Sequence, residues 1–441
     1  MTTAPIPGFP AGFRWGVSTS AYQIEGAADA DGRRASIWDT FAHTAGRIVD
    51  GSTGDVACDH YHRHREDVAL MAGLGVSAYR FSIAWPRVRP GGTGPVNPAG
   101  LDFYDRLVDD LLAAGIDPVA TLFHWDLPQP LEDAGGWLHR DTAGHFAEYA
   151  DLVAARLGDR VKLWITLNEP FIHLSLGHAT GLHAPGRFLL LDALPAAHHQ
   201  LLGHGLAVAA LRARTTSPVA IANNYSPVVV SGDTDPDRAA GAAYDALHNR
   251  LFTDPLMGLG YPPGLDPGVV RDGDLAVIAA PVDVLGVNYY NPTGVRAPAA
   301  GSPLPFELVP LDGYPRTAFD WPVVPDGLRD LLVGLRDRYR DALPPIQVTE
   351  SGCAYPDVPD ADGRVHDPDR IGYLDGHLRA VLAAIDAGVD VTGYFVWSLL
   401  DNWEWAEGFT KRFGLVHVDF DTQVRTPKSS YAWYRDQVGR G

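Results

Sequence analysis

Short apolar runs alternate with stretches of helical periodicity along the whole chain. Eight of these runs have the length of buried parallel strands: 13–19, 78–83, 118–123, 163–167, 219–222, 284–289, 346–349 and 393–397. Helical periodicity separates them. In 101–114, for example, apolar residues stand at positions 103, 107, 108, 111 and 112. Eight strands with helical spacers predict a (β/α)8 barrel, in which chemistry is placed at the C-terminal ends of the strands.

An open doubly wound sheet is the alternative arrangement of the same elements. It is disfavoured because no Gly-x-Gly-x-x-Gly stretch follows an early strand. The sequence has no internal repeat and no low-complexity linker, so we expect one domain over residues 1–441. The Pro- and Gly-rich stretches 90–100, 255–268 and 291–315 lack periodicity and are predicted to be loops that shape the site entrance.

The charge of the chain narrows its possible partners. The formal net charge is −19 at pH 7, and the one dense basic run, 62–67, contains its own acids and is typical of a solvated helix start. We therefore expect neither nucleic acid nor an anionic membrane as a partner. No apolar segment is long enough to span a membrane, and residues 1–5 do not begin a secretory signal, so we expect a cytoplasmic location.

Metal and cofactor chemistry finds little support in the sequence. The two cysteines, Cys58 and Cys353, have no partners at metal-ligand spacing, and one pair cannot be assigned as a disulfide from sequence. Metal binding is conceivable with 17 histidines, but they lack the spacing of a catalytic zinc site. No Gly-x-Ser-x-Gly elbow of a serine hydrolase occurs. We expect no metal and no cofactor.

Two glutamates stand where buried strands are predicted to end. The run 161–169 ends in Asn168 and Glu169, and the run 346–350 ends in Glu350. Two carboxylates that different strands bring to one edge can serve as the acid and the base or nucleophile of glycoside hydrolysis. The alternative is that each glutamate merely ends a strand.

Other predicted strand ends carry amide, carboxyl, imidazole, phenol and indole groups, with one guanidinium. Such groups hydrogen-bond the hydroxyls and stack on the apolar face of a sugar, whereas a phosphate would call for Arg, Lys or a Gly-rich loop. The alternative is that the tryptophans and the histidine are core residues. The residues concerned are Gln23, Arg80, His124, Asn288, Tyr290, Trp397, Glu404 and Trp405.

Five long segments together resemble glycoside hydrolase family 1, the β-glucosidase family. They are FRWGVSTSAYQIEG at 13–26, YRFSIAWPR at 79–87, HWDLP at 124–128, TLNEP at 166–170 and WSLLDNWEW at 397–405. They occur in the order of the family's motifs, and the resemblance covers about residues 8–436. It implies the (β/α)8 barrel that the strand pattern also predicts.

The resemblance implies a retaining mechanism for β-glycosides. Glu169 would be the general acid/base and Glu350 the nucleophile, with catalytic support from Arg80, Asn168, Asn288 and Tyr290. Of these, Arg80 and Tyr290 would favour the charged form of Glu350, and Glu169 would then have the raised pKa.

The resemblance also implies a set of sugar-binding residues. Asn168 would bind the 2-hydroxyl, Trp397 would form the platform beneath the terminal sugar, and Gln23, His124, Glu404 and Trp405 would bind its other hydroxyls. His178 and Trp321 are possible residues of the aglycone side. The expected partners are small β-glycosides and cello-oligosaccharides. Preference among glucosides, galactosides and fucosides stays open, as does the oligomeric state.

The chain departs from the family pattern at two positions. Ser351 stands where the family usually has Asn after the nucleophile, and Pro322 stands where it commonly has Glu after a tryptophan. We expect the first to affect activity little and the second to affect loop shape.

Three other functions remain as alternatives: a 6-phospho-β-glycosidase, a transglycosidase, and a catalytically silent sugar-binding barrel. The first is disfavoured because the Glu404 carboxylate would repel a 6-phosphate, and because Lys411 and Phe413 occur without the Ser and Tyr of phospho-specific relatives. The last is disfavoured because both glutamates are present.

Overall fold

Eight parallel strands close into a barrel at the centre of the molecule. The computed structural model describes residue 6 and residues 8–439. Each strand pairs with its neighbours in chain order, and β1 closes on β8. The eight predicted strands and the (β/α)8 barrel are confirmed. The strands, β1 to β8, are Arg14–Ser18, Ala78–Ser82, Asp117–Phe123, Leu163–Asn168, Val219–Asn224, Val284–Asn288, Ile346–Ser351 and Val391–Trp397.

Two expectations reach beyond the described residues. Residues 1–5, which we expect not to begin a secretory signal, lie outside them. The extent of one domain over 1–441 stays a prediction.

Helices connect the strands and cover the outside of the barrel. The α-helices are Ala21–Ile24, Ile37–Ala42, His60–Leu74, Trp85–Val88, Pro98–Ala113, Gln129–Asp133, Asp141–Leu157, Pro170–Ile172, Leu194–Arg212, Asp235–Asp245, Thr253–Leu256, Asp274–Ile278, Pro325–Tyr339, Pro368–Asp386 and Ser429–Val438. Short 3₁₀-helices occur at Ala30–Gly32, Gly136–Leu138, Leu190–Ala193, Arg340–Ala342 and Trp405–Glu407. Two π-helical segments, His173–Ala179 and Ala246–Arg250, flank the site described below.

The interior of the barrel is apolar at one end and polar at the other. The apolar end is filled by residues taken mostly from the first halves of the strands. The later positions of the strands carry polar side chains such as Arg80, Asn168 and Asn288, which are also buried. The barrel therefore has an apolar floor below a polar site. The floor consists of Ala78, Val119, Leu163, Ile165, Ala220, Ala222, Val284 and Phe395.

A glycine allows β1 and β8 to close the barrel around a large side chain. Gly16 pairs with Phe395 in the register of the two strands. A Cβ atom on Gly16 would lie 2.2 Å from the Phe395 ring, which is far inside van der Waals contact. The closing seam therefore depends on the absence of a side chain at this position.

Parts of the three predicted loops are regular, so that prediction is wrong in detail. The stretch 291–315 contains the short strands Thr293–Arg296 and Glu307–Val309, which form a small sheet with Val228–Val230. The first and second stretches overlap the helices Pro98–Ala113 and Thr253–Leu256. Strands of three or four residues are too short to show a hydrophobic period.

The run 62–67 does lie in a helix, but it is not uniformly solvated. His64 and Asp67 are buried, and Asp67 accepts hydrogen bonds from Arg425 at 3.0 and 3.2 Å. Cys58 and Cys353 are buried and free. Across residues 8–439, no helix is long and apolar enough to cross a membrane.

Candidate active site

A cavity of about 290 Å³ opens at the C-terminal ends of the barrel strands. It brings together both predicted catalytic glutamates and most of the predicted sugar-binding residues. Gln23, Arg80, Asn168 and Asn288 do not line it but hydrogen-bond lining residues from behind. The walls include His124, Trp125, Glu169, His183, Asn224, His248, Tyr290, Trp321, Glu350, Trp397, Glu404 and Trp405.

Glu350 lies near the end of β7 and has a donor on each carboxyl oxygen. Arg80 Nη1 lies 2.5 Å from Oε1, and the Tyr290 hydroxyl donates to Oε2 at 2.7 Å. The same Arg80 nitrogen donates to the Thr349 carbonyl at 3.1 Å. A buried carboxylate with a guanidinium and a phenol as donors is well placed to carry negative charge.

Glu169 follows β4 and has a left-handed backbone, with φ 44° and ψ 56°. This conformation costs a non-glycine residue on the order of 1 kcal/mol or more and is found mostly at functional sites. Its Oε1 accepts hydrogen bonds from the Asn288 amide at 2.9 Å and the Asn224 amide at 3.0 Å. Among the described residues no group hydrogen-bonds its Oε2, which is therefore the oxygen free to exchange a proton with a ligand.

The two carboxyl groups differ in their electrostatic surroundings. Burial, together with the negative charge of Glu350, raises the pKa of Glu169 to about 8. Burial also raises the pKa of Glu350, but Arg80 and the Tyr290 hydroxyl act in the opposite direction. Two neighbouring carboxyls do not ionise together readily. We assign the negative charge to Glu350, which has the cation, and the proton to Glu169.

A buried network fixes the imidazole of His124. Asn168 Oδ1 accepts from Arg80 at 2.5 Å and from Asn288 at 3.1 Å, so its amide nitrogen faces His124 Nε2 at 2.9 Å. Nε2 therefore accepts and Nδ1 carries the hydrogen. Burial, followed by the charge of Arg80, keeps the pKa of His124 well below its usual range. The buried Nδ1 has no acceptor among the described residues.

Gln23 and Glu404 form a second polar pair. Gln23 is fully buried, and its amide donates to Glu404 Oε2 at 3.0 Å while Ser20 donates to its oxygen at 2.6 Å. Burial, followed by the charge of Glu350, raises the pKa of Glu404 to about 8. Glu404 is therefore largely protonated near neutral pH in the unliganded site. The expectation that a fixed charge there repels a phosphate is weakened, and hydrogen bonding is the better basis for its role.

Aromatic rings make up a large part of the cavity lining. Trp397 lies nearly parallel to His124, with ring centroids 5.8 Å apart. Trp405 packs against Trp125 and Trp38, at 4.6 Å from each. Trp125 and Trp405, like Glu169, have positive φ angles, of 74° and 49°. Three residues of the cavity thus have strained backbones that aim their side chains.

Of the two residues predicted for the aglycone side, one lies on the outer part of the cavity. Trp321 lines the cavity and stacks on Phe319, with centroids 4.4 Å apart. His178 does not line it, because its ring is buried against His173. His183, in the loop that follows, lines the wall instead. The structure therefore does not place His178 on the cavity, and its role on the aglycone side is not proposed further.

Lys411 lies on the outside of this wall. Its ammonium donates to the Ala318 carbonyl at 3.0 Å and lies 5.0 Å from the centre of the Phe319 ring. Phe413 lines the cavity without offering a hydroxyl.

Two polar residues near Glu169 were not predicted. Asn224 is the last residue of β5, so the strand-end rule that points to the other site residues points to it as well. His248 lies in the π-helical segment Ala246–Arg250 and hydrogen-bonds Asn224 at 2.8 Å. Nothing in the sequence marks His248 as part of the site.

Comparison with known proteins identifies the family. The profile of glycosyl hydrolase family 1 matches residues 7–440. The chain belongs to glycosyl hydrolase family 1. It is 52% identical over 444 residues to thermostable β-glucosidase B of Thermobispora bispora, covering 98% of this chain and 91% of that protein.

Further members of glycosyl hydrolase family 1 are similar along almost the whole chain. A bifunctional β-D-glucosidase/β-D-fucosidase of Bifidobacterium breve is 46% identical, covering 97% of each chain. The solved structure of the Thermotoga maritima β-glucosidase in complex with glucoimidazole superposes with a TM-score of 0.94 at 43% identity, covering 98% of this chain and 99% of that one. These similarities confirm the resemblance seen in the sequence.

The two departures from the family 1 pattern fit the structure without disturbing the carboxyl groups. Ser351 is buried, and its hydroxyl lies 3.4 Å from that of Tyr373. The following Gly352 is needed, because a Cβ atom there would lie 1.7 Å from the Trp397 carbonyl oxygen. Pro322 is buried next to Trp321, at the outer end of the cavity.

Proposed function

We propose that this chain is a retaining β-glucosidase that removes terminal β-D-glucosyl residues by double displacement. The observation that carries the proposal is the contrast between two carboxyls in one cavity. Glu350 has Arg80 and Tyr290 on its oxygens, whereas Glu169 is buried beside it with a raised pKa and one free oxygen. Such a contrast supports Glu350 as the nucleophile and Glu169 as the acid.

In the first step Glu350 attacks the anomeric carbon. The bond from that carbon to the leaving oxygen breaks, and Glu169 gives its proton to that oxygen so that the alcohol departs. The proton comes from Oε2, because Oε1 already accepts hydrogen bonds from Asn224 and Asn288. The sugar is then bound to Glu350 as an ester.

In the second step water replaces the alcohol. Glu169, now ionised, takes a proton from the water. At the same time the water oxygen attacks the anomeric carbon, and the ester bond to Glu350 breaks. Two displacements restore the β configuration. Arg80 and Tyr290 stabilise the carboxylate that is regenerated.

The groups around the carboxyls suit a neutral pyranose. Glu404 lines the cavity and can bond hydroxyls, with Gln23 holding it from behind, and Asn168, which holds His124, has one amide hydrogen left over. Trp397 supplies the flat surface. The arrangement favours an unphosphorylated sugar, because Arg80 is already engaged by Glu350 and Asn168 and Lys411 is engaged on the outer wall.

The outer cavity supports aryl glycosides and short cello-oligosaccharides as substrates. Trp321 and Phe319 form a stacked aromatic surface beyond the carboxyls, on which a second sugar or an aryl ring can lie. The bifunctional relative extends the candidate glycones to β-fucosides. A cytoplasmic location stays a prediction.

Hydrolysis of 4-nitrophenyl β-D-glucoside followed by proton NMR tests the proposal. We expect β-glucose as the first-formed anomer, and faster turnover than with the 6-phosphorylated glucoside. First-formed α-glucose would contradict retention. Absence of hydrolysis, or preference for the phosphorylated substrate, would contradict the proposed activity itself.

A further inference from the structure

A chain of hydrogen bonds leads from Glu169 to two residues outside the barrel strands. The Asn224 amide nitrogen lies 3.0 Å from Glu169 Oε1. Asn224 Oδ1 lies 2.8 Å from His248 Nε2, and His248 Nδ1 lies 2.9 Å from the Tyr244 hydroxyl. Tyr244 lies in the α-helix Asp235–Asp245, and His248 lies in the π-helical segment Ala246–Arg250 that follows it directly.

The carboxyl at one end sets the donor and acceptor at every link. Oε1 of Glu169 accepts hydrogen bonds whether or not Oε2 holds the proton, so Asn224 must present its amide nitrogen to Glu169 and its oxygen to His248. Nε2 of His248 must then carry a hydrogen, and Nδ1 accepts from the Tyr244 hydroxyl. Each residue thus fixes the orientation of the next.

The imidazole of His248 is held as a neutral, rigid member of this chain. It is 7% exposed, and its ring packs on Phe171 with centroids 4.2 Å apart. Burial lowers its pKa to about 3. His248 therefore stays uncharged over the working pH range and cannot itself relay a proton change. Its remaining effect on Glu169 is to orient Asn224.

We propose that His248 is a positioning residue for the acid/base carboxyl: it holds the Asn224 amide nitrogen on Glu169 Oε1, and Tyr244 fixes the His248 tautomer that this requires. The inference rests on the proposed function, in which Glu169 is the acid/base. Without His248 the Asn224 amide is free to turn, and its oxygen would then face a carboxyl oxygen.

The expected consequence concerns the ionised form of Glu169. An amide that donates to a carboxylate stabilises its charge, and Asn224 and Asn288 both lower the pKa of Glu169 against the effect of burial. Loss of the Asn224 contribution should therefore raise the pKa of Glu169 and move the alkaline limb of kcat/KM to higher pH. The charged and titratable groups facing Glu169 from other elements are Arg80, Tyr290, Glu350 and Glu404. They are unchanged in the variants below.

The test compares variants of His248 and Tyr244 by pH profile. His248→Phe keeps a ring on Phe171 but cannot donate to Asn224, whereas His248→Gln retains an amide donor. Tyr244→Phe removes only the hydroxyl. The matched control is Tyr261→Phe, because the Tyr261 hydroxyl also lies 2.9 Å from a histidine Nδ1, that of His198, away from the cavity.

The measured quantity is kcat/KM on cellobiose from about pH 5 to about pH 10, a range that brackets the titration of the acid/base. His248→Phe should move the alkaline limb upward by about half a pH unit, as expected for one lost hydrogen bond. Tyr244→Phe should give a smaller shift in the same direction. His248→Gln and Tyr261→Phe should keep the wild-type limb.

Several results would overturn the inference. One is a wild-type alkaline limb in both His248→Phe and Tyr244→Phe. Another is a raised KM without movement of the limb, which would mean that His248 only contacts the aglycone. If His248→Phe fails to fold, the test is decided by comparing the alkaline limb of Tyr244→Phe with that of Tyr261→Phe. Failure of the proposed function would appear differently, as a wild-type enzyme that does not hydrolyse cellobiose or does not depend on Glu169.

Discussion

Replacement of Glu169 by Gln should separate acid catalysis from nucleophilic attack. Gln keeps the size of the side chain and an oxygen that can accept from Asn224 and Asn288, but it has no acidic proton to transfer to the leaving oxygen. Cellobiose needs protonation of its leaving oxygen, so its kcat/KM should fall by about 10²- to 10⁴-fold. The glycosylation step with 2,4-dinitrophenyl β-glucoside should fall less than about tenfold, because dinitrophenolate leaves without a proton.

The raised pKa of Glu169 fixes the pH dependence of the wild-type enzyme. The acid must be protonated to act, and with a pKa of about 8 most molecules hold the proton at neutral pH. One pH unit above that value only about a tenth hold it, so kcat/KM on cellobiose should fall about tenfold between pH 7 and 9. The dinitrophenyl substrate should lack this alkaline limb.

Single-turnover rates on both substrates across this range provide the measurement. Glu132→Gln is the matched control, since Glu132 is buried and bound to Arg187 outside the cavity. In that variant, a general loss of stability would lower the rates on both substrates by the same factor. Equal losses on cellobiose and the dinitrophenyl substrate in Glu169→Gln would refute the assignment of Glu169 as the acid.

Three further substitutions test other parts of the site. Glu350→Ala should abolish hydrolysis, and added azide should restore turnover with an α-configured glycosyl azide as product; more than about a hundredth of the wild-type rate without azide would argue against the nucleophile. Glu404→Ser should lower kcat/KM on plain glucosides at least about tenfold, since it removes the partner of Gln23 and acceptors for sugar hydroxyls; an unchanged value would mean that Glu404 does not contact the sugar. Lys428→Met should lower the free energy of unfolding in urea by on the order of 3 kcal/mol, because the buried Lys428 ammonium lies 2.6 Å from Asp401 and its loss removes that buried ion pair. An unaltered unfolding curve would show that this ion pair contributes nothing.

The barrel could be predicted because each buried parallel strand appears in the sequence as a continuous run of apolar residues. The run 346–349 and the structural strand Ile346–Ser351 differ only at their C-terminal end. Glu169 and Glu350 were predictable because both follow such runs and chemistry gathers at that edge. Local sequence patterns were therefore enough to predict a site residue wherever a single strand positions its side chain.

The parts that escaped prediction depend on paths of loops and on contacts between distant segments. His183 rather than His178 reaches the cavity, because the chain after His173–Ala179 turns inward in a way that spacing does not show. His248 meets Asn224 only because a π-helical segment ends beside β5. Both depend on tertiary geometry that a single sequence does not encode in a period.

The balance of charge in the cavity explains why its carboxyls must be considered together. Glu350 raises the pKa values of both Glu169 and Glu404, Glu169 also raises that of Glu404, and Arg80 is the guanidinium bound directly to Glu350. One cation offsets one carboxylate, so the other two carboxyls hold protons near neutral pH, as their pKa values of about 8 indicate. A sugar hydroxyl that donates to Glu404 favours its ionised form. That new negative charge would in turn strengthen the hold of Glu169 on its proton, so substrate binding itself favours the protonated acid that the first step requires.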